Sequence, residues 1–416
     1  MRTVKLGEIS ELKTGPFGTQ FSAKEYVSDG VPVINVKNIG YGNIISEDFD
    51  YVGDNTLERL SEHKLKTGDI VFGRKGSVDR HCLITKEQDG WMQGSDCIRV
   101  RLTDASVYPN FISYYLLTDT VKAKINNSAV GSTMASLNTD ILGDIDIRLP
   151  SCGEQYKIAT VLSMIDKKIE TNNMINDYLE EMAKTIYDYW FVQFDFPDEN
   201  GKPYKSTGGK ITTSNNHKFP NDWRIVSISD VCALKNGINY EKGVDGDESY
   251  TIVNVRDITS SSLFINCDSC DTLLLPSVLA NKYLITNDTI LIARSGTPGA
   301  IRLVQNKICN VIYCGFIIAA TPNDASYRDY LAFTLKKYEG SNATQTGGSI
   351  LKNVSQDTLN SLSIIYPPVN IVDKFNGIIK PLLDKITANN NEISRLINLR
   401  NWLLPMLMNG QAAIDD

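Results

Sequence analysis

The sequence predicts an α+β fold built twice. Two similar α/β lobes and two long α-helices, paired antiparallel as a coiled coil, form a tandem repeat about a pseudo-two-fold axis. Three observations predict it. A series of short motifs recurs in the same order about 220 residues further on. In each copy, short runs with strand-like patterning come first. Each copy then ends in a long stretch whose apolar residues follow helical spacing.

The repeat is read block by block. VKLGEISELKTG (4–15) matches VSISDVCALKNG (226–237), pairing Val4 with Val226, Leu12 with Leu234, Lys13 with Lys235 and Gly15 with Gly237. INVKNI (34–39) matches VNVRDI (253–258). GDIVFGRKGS (68–77) matches NDTILIARSGT (287–297), aligning Arg74 with Arg294 and Gly76 with Gly296. STMASLNTD (132–140) matches SILKNVSQD (349–357), and IDKKIETNNMI (165–175) matches LDKITANNNEI (383–393). Chance similarity does not keep order and spacing together, and the small drift in spacing belongs in loops, where insertions are tolerated.

Within each copy, VPVINVKNI, DIVFGRKG and DIDIRL are β-branched or alternating runs bounded by Gly, Pro, Asn and Asp, hence strands. NFISYYLLTDTVKAKI (110–125) reads as one helix between strands. From 154 to about 191 there is no Pro or Gly, and Ile158, Leu162, Ile165, Ile169, Leu179, Ile186 and Trp190 fall at spacings built from threes and fours. Phe375, Ile379, Leu382, Ile386, Ile393, Leu396, Leu403 and Leu407 repeat the pattern, with Pro381 expected to kink that helix near its start. The expected boundaries are a first lobe at 1–150, a long helix at 151–193, a surface linker at 194–222, a second lobe at 223–366, a second long helix at 367–410 and a tail at 411–416.

Each helix carries an asparagine cluster at its centre, TNN (171–173) and ANNN (388–391). In an antiparallel pair the two midpoints meet. Asn172, Asn173, Asn390 and Asn391 then either face one another and fix the register, as polar seam residues do, or face solvent.

Composition narrows the functional classes. With 42% hydrophobic and 22% charged residues, the 416-residue chain reads as a globular protein of two or three domains. No apolar run approaches the roughly 20 residues of a membrane span. The start of the chain, MRTVKLGEIS, has no signal-peptide pattern, so a cytoplasmic protein with reduced thiols is expected. The net charge of −7 argues weakly against nucleic acid, although an acidic remainder can hide a basic face.

Catalytic chemistry is missing from the pattern. The three histidines, His63, His81 and His217, have no counterparts across the repeat, and no Gly-rich phosphate loop or dinucleotide fingerprint is present. Cys267 and Cys270 with Cys309 and Cys314 could form a zinc site, but the second spacing is loose and the first lobe lacks all four. No catalytic residue, metal or cofactor is therefore expected.

Binding chemistry is present. A strand ending in Arg-x-Gly-Ser/Thr gathers a guanidinium, backbone N–H groups and a hydroxyl, which suit phosphates and guanine edges. The candidate contacts are Lys37, Asn38, Arg74, Lys75, Ser77, Ser132 and Thr133 in the first lobe. Their counterparts in the second are Arg256, Arg294, Ser295, Thr297, Ser349 and Lys352. Arg74 and Arg294 could instead pair with a carboxylate within each lobe and only shape the loop.

The motif order, and above all YDYWFVQFDFPDENGKPYKSTGG (187–209), resembles the specificity subunit of type I restriction–modification systems over nearly the whole chain. The resemblance implies two target-recognition domains, each reading one half of a bipartite double-stranded DNA site. It implies helices that dock two methyltransferase subunits, restriction subunits that join that core, and no catalytic residues in this chain. Trp190, Phe191 and Trp402, near the helix ends, are candidate exposed partner contacts, or else they cap the ends of the coiled coil. A helix of about 38 residues would reach roughly 57 Å, enough to hold two major-groove readers at least one helical turn, about 34–36 Å, apart. A rival reading keeps the architecture and drops DNA: a two-lobed protein-interaction scaffold on a coiled-coil stem.

Overall fold

The computed structural model describes residues 2–45, 48–129, 136–214, 217–240, 246–304, 309–339 and 354–414. The chain divides into two compact units, Met1–Lys168 with Arg395–Asp416, and Ile169–Ser394.

In the first unit a five-stranded sheet has the order Ser10–Thr14, Cys97–Leu102, Ile70–Gly73, His81–Leu83, Tyr41–Gly42. The first four strands run antiparallel, with Leu12 opposite Val100 and Ile98 opposite Phe72, and Tyr41–Gly42 joins in parallel. A second sheet orders Tyr26–Val27, Asp50–Val52, Val31–Ile34, Met92–Gln93. Arg2–Lys5 pairs antiparallel with Asp146–Leu149, where the alternation read in the sequence puts Ile147 and Leu149 inward.

The second unit repeats the plan. Its five-stranded sheet runs Cys232–Asn236, Ile317–Pro322, Ile290–Ala293, Ile301–Val304, Phe264–Ile265, again with the last strand parallel. A three-stranded sheet orders Asp271–Leu275, Glu248–Val253, Val311–Tyr313. Arg224–Ser227 pairs with Ser363–Tyr366. The glycines aligned by the repeat explain themselves here. A Cβ on Gly15 would lie 1.9 Å from the Gly94 carbonyl oxygen, and one on Gly237 would lie 2.2 Å from that of Cys314. Only glycine permits the strand to cross so close to its neighbour.

Helix Cys152–Tyr187 gives its first half to the first unit and its second half to the second; helix Val369–Met408 does the converse. Within each unit the two run antiparallel. In the first, Ile158, Ala159 and Leu162 share a core with Leu407, Met408, Phe72, Val100 and Phe111. In the second, Ala183 and Tyr187 share a core with Phe375, Ile379, Leu383 and Ile386. Helix Val369–Met408 continues through the exposed Pro381. The carbonyl that loses its N–H partner there belongs to Gly377, which has open space around it.

Two expectations are corrected. Residues 110–125 do not form one helix: Pro109–Leu116 ends and Asp119–Ser128 begins after Thr118, whose hydroxyl donates to the Tyr115 carbonyl. Residues 194–222 are not simply a surface linker. Phe194, Phe196 and Phe219 are buried with Trp223 in the second unit's core, and Ile211–Ser214 pairs with His217–Pro220 in a hairpin. The chain turns into this segment through a π-helical turn, Asp188–Val192, and a left-handed Phe194 (φ 66°). Four large aromatics outweigh the Gly, Pro and Ser that suggested a linker.

Candidate nucleic-acid interface

In each lobe the structure brings the sequence-predicted cations onto two adjoining turns. The first turn follows the strand Val31–Ile34 in one lobe and Glu248–Val253 in the other. Asn35 and Asn254 open it, their backbone N–H groups donating to Asn38 Oδ1 (2.9 Å) and Asp257 Oδ2 (2.8 Å). Asn38 is fully buried and also donates to the Asp48 carbonyl. It therefore caps the turn, and its candidacy as a direct contact is corrected.

The cation between them stays at the surface. Lys37 Nζ lies 3.2 Å from Asp50 and 3.1 Å from Asp48, and Arg256 Nη2 lies 2.5 Å from Asp271. Asp50 and Asp271 open corresponding strands, and each also accepts from the cap asparagine, Asn35 at 2.8 Å and Asn254 at 3.2 Å. The two carboxylates raise the Lys37 pKa through hydrogen bonds, and Asp271 does the same for Arg256. Both groups stay cationic. A phosphate would have to exchange with a carboxylate already in place.

The second turn is Arg-x-Gly. Gly76 and Gly296 are left-handed (φ 79° and 74°), as the motif requires. A Cβ on Gly296 would meet Val255 at 2.8 Å, so the two turns touch; Thr297 and Thr259 hydroxyls lie 3.1 Å apart. In the first lobe the equivalent approach is Val36 against Gly73. Arg74 N–H donates to the Asp96 carbonyl and Arg294 N–H to that of Phe316. Leu137 N–H donates to the Arg74 carbonyl and Val354 N–H to that of Arg294, so the same backbone bond is made on the Arg-x-Gly turn in both lobes. Ser132, Thr133, Ser349 and Lys352 lie outside the described residues.

The two arginines differ. Arg294 donates to the Val354 and Gly315 carbonyls and so partly shapes its loop, whereas the Arg74 side chain has no hydrogen bond or ion pair among the described residues. Lys75 is held by Asp96 at 2.9 Å, and the Ser77 hydroxyl accepts from Arg80. Sequence reasoning missed Phe316, which is 62% exposed beside Arg294. An aromatic in a Gly-containing loop next to the Arg-x-Gly partner strand was the available signal.

On the helices, Trp190 and Phe191 are buried. Phe191 packs edge-on against Tyr330 (4.7 Å) and Phe375 (4.9 Å), and Trp190 lies 5.9 Å from Phe375. Their expected exposure at a helix end is corrected: they close the second unit's core. Trp402 is 58% exposed. Four other exposed apolar residues form a stripe that the sequence reading passed over. Met174, Tyr178, Met182 and Tyr189 recur at helical spacing on the side of the helix opposite Asn176, Ala183 and Tyr187.

The asparagines are half as expected. Asn172 donates to Glu392 (3.0 Å), and Asn176 donates to Asn390 (2.7 Å) and accepts from Asn389 (2.8 Å). Asn173 and Asn391 are exposed and make no part of this layer. Asn176 lies four residues beyond Asn172, so helical spacing alone could have found it. Among the described residues, no three His, Cys, Asp or Glu side chains gather to hold a metal, and no helix is long and apolar enough to cross a membrane.

These features define a class: a duplicated α+β recognition protein whose two lobes present cation-bearing turns on a common scaffold. The chain belongs to the family described as the type I restriction modification DNA specificity domain, whose model matches residues 1–181 and 220–398, one copy per lobe. It is 25% identical over 421 residues to the type I restriction enzyme MjaIX specificity subunit of Methanocaldococcus jannaschii, covering 99% of this chain and 93% of that one. It is 21% identical to the HindI specificity subunit of Haemophilus influenzae, covering 91% and 94%. The crystal structure of a type I restriction–modification system S subunit from M. genitalium superposes with a TM-score of 0.57 at 14% identity, covering 100% of this chain and 96% of that one, and shares the fold.

Proposed function

We propose that this chain is the DNA-specificity subunit of a type I restriction–modification complex, with each lobe reading one half of a bipartite double-stranded site. The observation that carries the proposal is the repetition of one device in both lobes of a family-matched chain. Asn35, Lys37 and Asp50 recur as Asn254, Arg256 and Asp271, beside Arg74 and Arg294. A cation held by an exchangeable carboxylate next to an Arg-x-Gly turn suits phosphate contact, and the polar loops around it suit base contact. Lys37, Lys75, Arg74, Ser77, Arg256, Arg294, Ser295 and Thr297 are the proposed contacts.

The chain itself carries no catalytic group in this reading. Two methyltransferase subunits and the restriction subunits supply the chemistry, and the complex works in the cytoplasm. The exposed Met174–Tyr178–Met182–Tyr189 stripe replaces Trp190 and Phe191 as the proposed methyltransferase contact of the second unit, and Trp402 remains a separate candidate in the first. Methionine and tyrosine at a helix surface supply adaptable apolar area.

Genome-wide adenine-methylation mapping with the gene intact and deleted tests this. One bipartite motif should vanish on deletion, and replacing the first lobe by a relative's should change one half of the motif only. Unchanged methylation on deletion, or a change in both halves on exchange, would overturn the proposal.

A further inference from the structure

The second lobe contains a pair of thiols that the DNA reading does not use. Cys267–Ser269 forms a single 3-10 turn capped by Asn266, whose side-chain oxygen accepts from the Asp268 N–H at 3.0 Å. Residues i and i+3 of such a turn eclipse one another, so Cys270 falls beside Cys267. Cys270 N–H donates to the Cys267 carbonyl at 3.2 Å, and the Cys270 thiol lies 3.6 Å from the Asn266 carbonyl. A three-residue separation in a tight turn also suits the Cα spacing that a disulfide needs.

The remaining cysteines lack this combination. Cys82, Cys97, Cys232 and Cys314 are buried, and burial pushes their thiols up, Cys82 and Cys232 to about 12. Cys152 and Cys309 are exposed. Cys267 and Cys270 alone are both neighbours and partly exposed, so a small oxidant can reach them.

We propose that Cys267 and Cys270 form a peroxide-oxidisable dithiol, Cys267 being the attacking sulfur and Cys270 the resolving one. The Cys267 thiolate attacks one oxygen of hydrogen peroxide, the O–O bond breaks, and the departing hydroxide takes a proton to leave as water. Cys267 is then a sulfenic acid. The Cys270 sulfur attacks it, the S–O bond breaks, and a second water leaves with the Cys270 proton. The dithiol loses two electrons and two hydrogens, and one peroxide is reduced to two waters.

The polarity of the pair agrees. The neighbouring Cys270 thiol lowers the Cys267 pKa against the effect of burial, and Cys267 together with burial raises that of Cys270. Cys267 is therefore the more readily ionised of the two. The site adjoins the lobe's cation-bearing turns, because Cys270 precedes Asp271, the partner of Arg256.

The test uses the reduced full-length chain, graded hydrogen peroxide, blocking with N-ethylmaleimide, and intact and peptide mass spectrometry. The expected result is loss of two hydrogens and a linked Cys267–Cys270 peptide, reversed by dithiothreitol, at peroxide levels that leave Cys152 and Cys309 fully alkylated. Cys270→Ser should stop at a Cys267 sulfenic acid that dimedone labels, and Cys267→Ser should leave Cys270 reduced, with far-UV circular dichroism checking that both variants fold. Oxidation of Cys152 or Cys309 before any linked peptide forms would overturn the proposal. So would equal dimedone labelling in the two variants.

Discussion

The polar layer between the helix halves of the second unit gives a quantitative prediction. Asn176 makes two hydrogen bonds there, donating to Asn390 at 2.7 Å and accepting from Asn389 at 2.8 Å. Asn389 is 1% exposed, so water cannot replace a lost partner. Asn176→Leu strands the Asn389 amide and deprives the half-buried Asn390 of its donor, at about 1–3 kcal/mol for a buried orphan. Leucine recovers part of that through apolar burial, leaving a net loss of about 2 kcal/mol. Asn176→Leu with Asn389→Leu removes both ends of the buried bond and should return most of the lost stability, because the only group left without its partner is the half-buried Asn390, which water can reach. The assay is urea unfolding followed by fluorescence in a background with Trp91 and Trp402 changed to Phe. Trp190 and Trp223, both in the second unit's core, then report alone. An Asn176→Leu single variant as stable as its parent would refute the reasoning, as would a double variant no better than the single.

Asp69→Asn should cost the first unit about 3 kcal/mol, measured by urea unfolding. Arg101 bonds Asp69 twice, at 2.7 and 2.6 Å, and Asp69 is almost fully buried, so removing the carboxylate leaves the guanidinium unmatched. Asp329 is pushed above the usual carboxylate range, chiefly by burial. Its favourable contribution is therefore present at low pH and is lost as pH rises through its folded pKa. Asp329→Asn should raise the second unit's melting temperature at about pH 7 and flatten its fall as pH rises above the ordinary carboxylate range. Tyr178→Glu with Met182→Glu should abolish co-purification with the methyltransferase while shifting stability by no more than about 0.5 kcal/mol, because both side chains are exposed.

The tandem repeat was legible because sequence order, spacing and period survive duplication. Both helices, the strands at 70–73 and 290–293, and the inward alternation of 146–149 follow from period alone. What was hidden depends on three-dimensional neighbours. Trp190 and Phe191 look like exposed ends until Tyr330 and Phe375 pack on them. The 194–222 segment has a linker's composition, but Phe194, Phe196 and Phe219 decide its place. Asn173 and Asn391 were read with their neighbours because adjacency in sequence was weighed above the helical step that points each away from the seam. In the candidate interface, motif alone singled out Lys37, Arg74, Arg256 and Arg294, which the fold places on adjoining turns, while Asn38 proved to be a capping residue, which composition does not distinguish from a contact residue.

The paired lobes separate what the fold needs from what recognition can vary. At the turn before the central strand, Asp69 Oδ2 accepts from the Lys66 N–H at 2.8 Å, and Thr289 Oγ1 accepts from the Thr286 N–H at 3.0 Å. At the turn after Ile34 or Val253, an Asn in one lobe and an Asp in the other receive the same backbone N–H. In both places the repeat keeps an acceptor at a fixed position and lets the residue change. The turns are thus set by backbone hydrogen bonds that any short acceptor satisfies. The cation between the caps points to the surface in both lobes and is held closest by an exposed or half-exposed carboxylate, with Arg256 Nε also 3.6 Å from the cap residue Asp257. Side chains on such a turn can be exchanged without unfolding the lobe, so two copies of one scaffold can carry different reading surfaces.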